Sequence, residues 1–308
     1  MELTADFLAR HAIAALSAMA TIMLLLTFVL WRLVERFGAS LWQYASRGWD
    51  AFRASSFAQQ LRRVPGLGLL LTHTLTAARY LGLYALGSFV VALGALAAFF
   101  ELADDIGVDE DFARFDAALA TALSRHLSTE ILGATALITH LGDAAFLIGL
   151  GTLVALILLI KRRVLLALTW AIATAAGALL NRLLKSIFER VRPIHDHGVV
   201  VADGWSFPSG HAAGAMLVYG LLAYVLIRHT RRSWHLPIAI VAVALIVFVG
   251  FSRVLLQVHY LSDVLAGYLS AASWGLLCVA GLEAVRWHER QSTGPASTPS
   301  RMANRPTG

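Results

Sequence analysis

The chain has 308 residues, 58% of them apolar, with a mean hydropathy of +0.69, which excludes an ordinary water-soluble globule and marks an integral membrane protein. Its formal charge of +6 invites a nucleic-acid reading, but Lys and Arg fall largely at the ends of apolar runs, where membrane topology explains them, so no nucleic-acid partner is expected. A single cysteine, Cys278 inside an apolar run, excludes an intramolecular disulfide and any cysteine-based zinc site.

In chain order, the apolar run 13–33 is long enough to cross the roughly 30 Å hydrocarbon core. No basic stretch precedes it and no small-residue cleavage site clearly follows, so a transmembrane helix is expected there rather than a signal peptide. The stretch 36–76 mixes Arg36, Arg47, Arg53, Arg62 and Arg63 with Trp42, Tyr44, Trp49 and Phe57. It fits either an interfacial amphipathic segment or a solvated basic loop. Further spans are expected at 77–100, 144–160, 164–184, 212–227, 236–251 and 261–285, the short ones continuing into their polar flanks.

The connectors alternate in character. Those at 36–63, at Lys161, Arg162 and Arg163, at Arg228, Arg231 and Arg232, and from Arg286 onward are basic and therefore cytoplasmic by the positive-inside rule. The acidic stretch 101–116 and the loops 185–211 and 252–260 then share the extracytoplasmic, or periplasmic, face. With Glu101, Asp104, Asp105, Asp109, Glu110, Asp111 and Asp116, the segment 101–130 reads as a solvated outer helix pair, a carboxylate metal site being the other reading. The tail after about 291 is rich in Ser, Thr, Pro and Gly and is expected to be disordered. The expected division is 1–76, an N-terminal helix and basic segment; 77–288, a membrane core with the insertion at about 101–130; and 289–308, the tail.

Three polar groups stand on the outer face. Lys185 and Arg192 bracket a helix exit before Pro193; snorkelling explains most such cations, but these lie where the positive-inside rule expects few. In GWSFPSGHAAG, 204–214, Ser209 is a good N-cap for the apolar run after Gly210 and His211, so free backbone N–H groups there favour an anion. Ser252 and Arg253 precede His259 and Asp263, which stand at i and i+4 if the next helix begins near Tyr260. Such a carboxylate fixes an imidazole tautomer and frees the other nitrogen, or else makes a local pair with no chemical role. Nearby, His140 and Asp143 in HLGD read as a helix cap or else as headgroup contacts, His195, Asp196 and His197 as a solvated loop or else as lining of the site entrance, and Trp205 and Phe207 as loop packing or interface residues.

Together, Lys185-x6-Arg192-Pro193, Pro208-Ser209-Gly210-His211 and Ser252-Arg253-x5-His259-x3-Asp263 resemble the three motifs of the type 2 phosphatidic acid phosphatase superfamily, whose site vanadium haloperoxidases share. The resemblance runs over about 77–285. It implies an all-α polytopic membrane bundle: a six-helix phosphatase core, to which this chain adds one N-terminal transmembrane helix. It further implies that His259 attacks phosphorus, Asp263 orients it, and His211 protonates the leaving oxygen and then activates water. Lys185, Arg192, Ser209, Gly210 and Arg253 would hold the phosphoryl oxygens. Three cations and a helix N-terminus supply the positive charge that magnesium supplies in kinases, so no metal or other cofactor is expected. The expected partners are the bilayer and a lipid phosphate or diphosphate, such as undecaprenyl diphosphate, phosphatidylglycerophosphate, phosphatidic acid or a lipid A phosphate. Transfer to a lipid or sugar acceptor uses the same residues. A non-catalytic lipid-binding or transport protein would not need the histidines, and a vanadium haloperoxidase would not need the spans.

Overall fold

The computed structural model describes residues 2–56, 87–106, 110–194 and 198–292, and among these all regular structure is helical. The helices are α1 (Glu2–Arg10), α2 (Ala12–Ala54), α3 (Gly87–Asp104), α4 (Asp111–His126), α5 (Thr129–Thr139), α6 (Ala144–Ile160), α7 (Val164–Phe188), α8 (Gly210–His229), α9 (Arg232–Leu255) and α10 (Leu261–Ser292). Six described stretches are long and apolar enough to cross a bilayer: Gly87–Asp104, Thr129–Ile160, Val164–Phe188, Gly210–His229, Arg232–Leu255 and Leu261–Arg286. The expected helical membrane bundle is therefore present. Exposed Ile148, Ile172, Leu179, Ile187, Val241 and Phe248 would be a liability in water and face lipid here.

The first expected span lies within α2. This helix packs Ala20 against Val247 and Phe251 of α9, and its Glu35 pairs with Arg232 at 3.2 Å. It then runs on to Ala54, so residues 36–54 continue the helix rather than forming a loop. The rest of the basic segment, the start of the 77–100 span, the loop residues His195, Asp196 and His197, and the tail from 293 lie outside the described residues.

α8 is the central helix. Its first turns bury Ala212, Ala213 and Ala215, and it packs against α7, α9 and α10, which suits a helix that is apolar on all sides. Close approach of α8 to α10 depends on Gly267: a Cβ there would lie 2.7 Å from the Ser209 carbonyl oxygen and 3.2 Å from the Ala213 nitrogen. Successive helices alternate in direction, which gathers the start of α6, the end of α7, the start of α8, the end of α9 and the start of α10 at one end. At the opposite end lie Lys161 to Arg163, Arg228 to Arg232 and Arg286.

The gathered end carries a roof. α1 packs Ala5 and Ala9, together with Ala12 at the start of α2, against Leu119, Ala122 and Leu123 of α4, with His126 Nε2 at 2.9 Å from Asp6. α5 sets Leu132 against Leu256 and Val258, and one 3-10 turn, His140–Gly142, separates it from α6. The solvated helix pair expected over 101–130 needs correction. Glu101, Asp104, Glu110 and Asp111 do face outward, but Asp116 is only 1% exposed, because α4 turns that face down onto the bundle.

Gly267→Ala should separate α8 from α10 and destabilise the protein by about 1–3 kcal/mol, the usual cost of overpacking a filled interior. Thermal unfolding in detergent measures it, with a lowered midpoint as the expected result.

Candidate active site

The residues singled out in the sequence come together at the roofed end. α7 extends one turn beyond its expected end, to Phe188, and stops at Glu189, whose φ of 44° is left-handed. That reversal carries Arg190 and Arg192 out of the helix and across the bundle. Lys185 Nζ donates to the Trp205 carbonyl and, at 3.1 Å, to that of Ser206. Arg192 donates to the carbonyls of Asp203 (2.9 Å), Gly204 (2.9 Å) and Trp205 (3.2 Å), so both cations hold the loop before α8. Phe207 anchors the same loop from below, wholly buried against Phe99, Phe188 and Ala266, while Trp205 stays 40% exposed.

Ser209 takes the N-cap position of α8 as expected, but its hydroxyl caps nothing. Among the described residues three buried side-chain polar atoms lack a partner: Ser209 Oγ, Arg253 Nε and Asn181 Nδ2. An unpaired buried donor costs about 1–3 kcal/mol, so two of the expected oxyanion ligands are held at a cost that an anionic acceptor would relieve. The first-turn N–H groups of α8, from Gly210 onward, add the positive end of a helix dipole. Arg253, in the last turn of α9, is 3% exposed and anchors its Nη1 on Thr139 Oγ1 at 2.7 Å.

His259 precedes α10 and is 3% exposed. Its Nδ1 lies 3.3 Å from Asp263 Oδ2, and its Nε2 lies 3.1 Å from Arg192 Nη1. Arginine can only donate, so Nε2 accepts and Nδ1 carries the proton toward the carboxylate. Burial, opposed by Asp263 and assisted by Arg192 and Lys185, lowers the His259 pKa to about 3. The result is a neutral imidazole with a basic nitrogen turned toward a cluster of cations, the arrangement a nitrogen nucleophile needs.

The reading of Asp143 also needs correction. It occupies the N-cap position of α6 but makes no side-chain cap; one carboxylate oxygen is 2.9 Å from His211 Nε2 and the other 2.7 Å from His140 Nδ1. His211 thus has an Asp partner of its own, which leaves its Nδ1 as the nitrogen free for proton transfer. Gly142 permits this contact, since a Cβ there would lie 2.4 Å from Val249 Cγ1 and 3.0 Å from His211 Cδ2.

Sequence reasoning missed four residues. Asp143 stood in a quoted motif but joins a partner 68 residues away. Ser206 donates to Asp263 Oδ2 and its Oγ lies 3.3 Å from His259 Nδ1. Arg190 bridges Asp263 and Asp116 through Nη1 and Nη2, at 2.9 and 3.0 Å. Burial raises the pKa of Asp116, with Ser262 and Arg190 opposing.

Residues 164–287 match the family model described as the PAP2 superfamily. Phosphatidylglycerophosphatase B of Bacillus subtilis (strain 168) is 39% identical over 143 residues, covering 46% of this chain and 68% of that protein. The chain belongs to the PAP2 superfamily. The crystal structure of the first transmembrane PAP2 type phosphatidylglycerolphosphate phosphatase from Bacillus subtilis has 31% identity and a TM-score of 0.57, covering 61% of this chain and 94% of that one. This PAP2 protein is accordingly a multi-pass membrane phosphatase, a phosphoric ester hydrolase. α1, α2 and most of the roof lie N-terminal to the matched PAP2 residues.

His259 also gives a test by stability. Held neutral to about pH 3, it takes up no proton where an unfolded histidine, with its ordinary value of 6.5, does. Its contribution is therefore complete above about pH 6.5 and is lost as the pH falls through the window toward 3, by at most about 1.4 kcal/mol per pH unit. Thermal midpoints in detergent should fall on acidification below pH 6.5, and fall less steeply in His259→Gln.

Proposed function

We propose that the protein hydrolyses a lipid phosphate, of the phosphatidylglycerophosphate or phosphatidic acid type or a polyprenyl diphosphate, through a phosphohistidine. The observation that carries the lipid reading is a cleft of about 700 Å³ that begins at Gly210 and His211 and continues between α6, α7 and α8 past Leu147 and Ala155 to Leu156 and Trp170. From Ala144 to Leu156 it follows α6 for about 18 Å, at a rise of ~1.5 Å per residue, which matches an extended lipid chain. A site that binds phosphate at one end and opens into an apolar cleft at the other selects an amphiphile. Both Bacillus subtilis relatives are phosphatidylglycerophosphate phosphatases by name, which favours that headgroup class.

In the first step Nε2 of His259 attacks phosphorus, the bond from phosphorus to the lipid oxygen breaks, and His211 delivers a proton to that oxygen. In the second, His211 takes a proton from water, the water oxygen attacks phosphorus, and the phosphorus–nitrogen bond breaks to release orthophosphate. Asp263 steadies the imidazole of His259, and Asp143 does the same for His211. Lys185, Arg192, Arg253, Ser209 Oγ and the Gly210 N–H hold the phosphoryl oxygens, so charge developing in transfer meets donors already in place.

An extracytoplasmic site is supported by the basic residues Lys161 to Arg163 and Arg228 to Arg232 at the opposite end, which favour the cytoplasmic side.

Purified protein in mixed micelles should release phosphate from at least one of these lipids far faster than from glycerol 3-phosphate, with a bell-shaped pH profile and no loss in EDTA. His259→Ala should abolish turnover, and His211→Ala and Asp143→Asn should each lower kcat, the former by about 10²–10⁴-fold. Unchanged activity in both histidine variants would refute the assignment.

A further inference from the structure

Asp116 is a fully buried carboxylate on α4, outside the matched PAP2 residues and unused by the chemistry above. Its surroundings explain its placement. Asp263 divides its two oxygens between different tasks: Oδ1 accepts Arg190 Nη1 at 2.9 Å, while Oδ2 accepts the Tyr260 N–H at 2.9 Å, the Ser206 hydroxyl and His259 Nδ1. An arginine beside a carboxylate ordinarily closes a two-pronged pair, with both terminal nitrogens on both oxygens. Such a pair would draw Oδ2 away from His259.

Here the second prong is occupied elsewhere. Arg190 Nη2 donates to Asp116 Oδ2 at 3.0 Å, and the guanidinium lies 4.3 Å from the Tyr260 ring centroid, which fixes its plane. Asp116 is itself held by Ser262, whose hydroxyl donates to Oδ2 and whose backbone N–H approaches Oδ1 at 3.3 Å. A carboxylate from the roof thus caps the first turn of α10, one residue before Asp263.

We infer that Asp116 is a positioning residue for the reaction: by taking the second prong of Arg190 it keeps Oδ2 of Asp263 on the imidazole of His259. The inference rests on the reading of His259 as the nucleophile. Removing the Asp116 charge lets Arg190 swing onto both oxygens of Asp263, so the imidazole loses its alignment while the phosphate cage is untouched. The loss should therefore appear in kcat and not in KM, and it should need Asp263 to be present.

The test measures phosphate release from phosphatidic acid micelles by the full-length protein and by Asp116→Asn, Asp263→Asn and the double variant. The expected result is a roughly tenfold to hundredfold lower kcat for D116N, a KM within about twofold of wild type, and no further loss on adding D116N to D263N. A D116N enzyme with wild-type kcat, or the same factor lost in both backgrounds, overturns the inference. If D116N does not accumulate folded, Ser262→Ala carries the test, because it removes the hydroxyl that links Arg190 Nη1 to Asp116 without removing a charge; a several-fold lower kcat at unchanged KM that disappears in the D263N background supports the inference, and a wild-type kcat or the same loss in both backgrounds overturns it. A wild-type protein that releases no phosphate from any lipid overturns the catalytic reading itself, whereas active wild type with unimpaired D116N overturns only the role of Asp116.

Discussion

The structure turns on one carboxylate that water does not reach. Asp263 has no exposed surface, and an unpaired charge in such a place would cost several kcal/mol. It is compensated on every side: by the His259 ring, the Tyr260 backbone, the Ser206 hydroxyl and the Arg190 guanidinium. These partners arrive from three separate pieces of chain, so satisfying one charge fixes the loop before α8, the exit of α7 and the start of α10 relative to one another. A buried ion pair is weak evidence for stability, but it sets geometry strongly, since breaking one member leaves the other stranded.

The cations around it form the other half of the balance. Lys185, Arg192 and Arg253 crowd one end of the bundle, held apart from one another by backbone carbonyls and Thr139 rather than by carboxylates. The carboxylates instead serve the histidines: Asp263 serves His259 and Asp143 serves His211. This division leaves the positive cluster uncompensated where a phosphoryl group would lie. The apolar cleft beside His211 supplies the complementary half of an amphiphile site. Positive charge, two oriented imidazoles and an apolar groove are gathered at one end by the alternation of helix direction and held there by the polar contacts around Asp263.

Much of this was legible in the chain. Six apolar spans, the placement of three motifs at one end and the i, i+4 relation of His259 to Asp263 follow from local spacing and loop charge, which the sequence displays directly. The parts not legible are long-range. Asp143 looked like a cap because Asp before an apolar helix usually is one; only the fold brings His211, 68 residues on, to its carboxylate. Asp116 was one acid among seven in a stretch whose composition reads as solvated, and nothing local distinguishes the one that α4 turns inward onto Arg190 and Ser262. Ser209 shows the converse: its position at the helix start was plain, but its hydroxyl is unpaired rather than spent on the cap.

On the proposed mechanism the nitrogen of His259 carries the phosphoryl group between lipid and water. Rapid mixing with a lipid phosphate bearing radioactive phosphorus, followed by an alkaline quench that preserves phosphorus–nitrogen bonds, tests it directly. The account predicts a transient label on the protein that maps to His259 and is missing from His259→Ala. A label on another residue, or turnover with no labelled protein at any time, would contradict it.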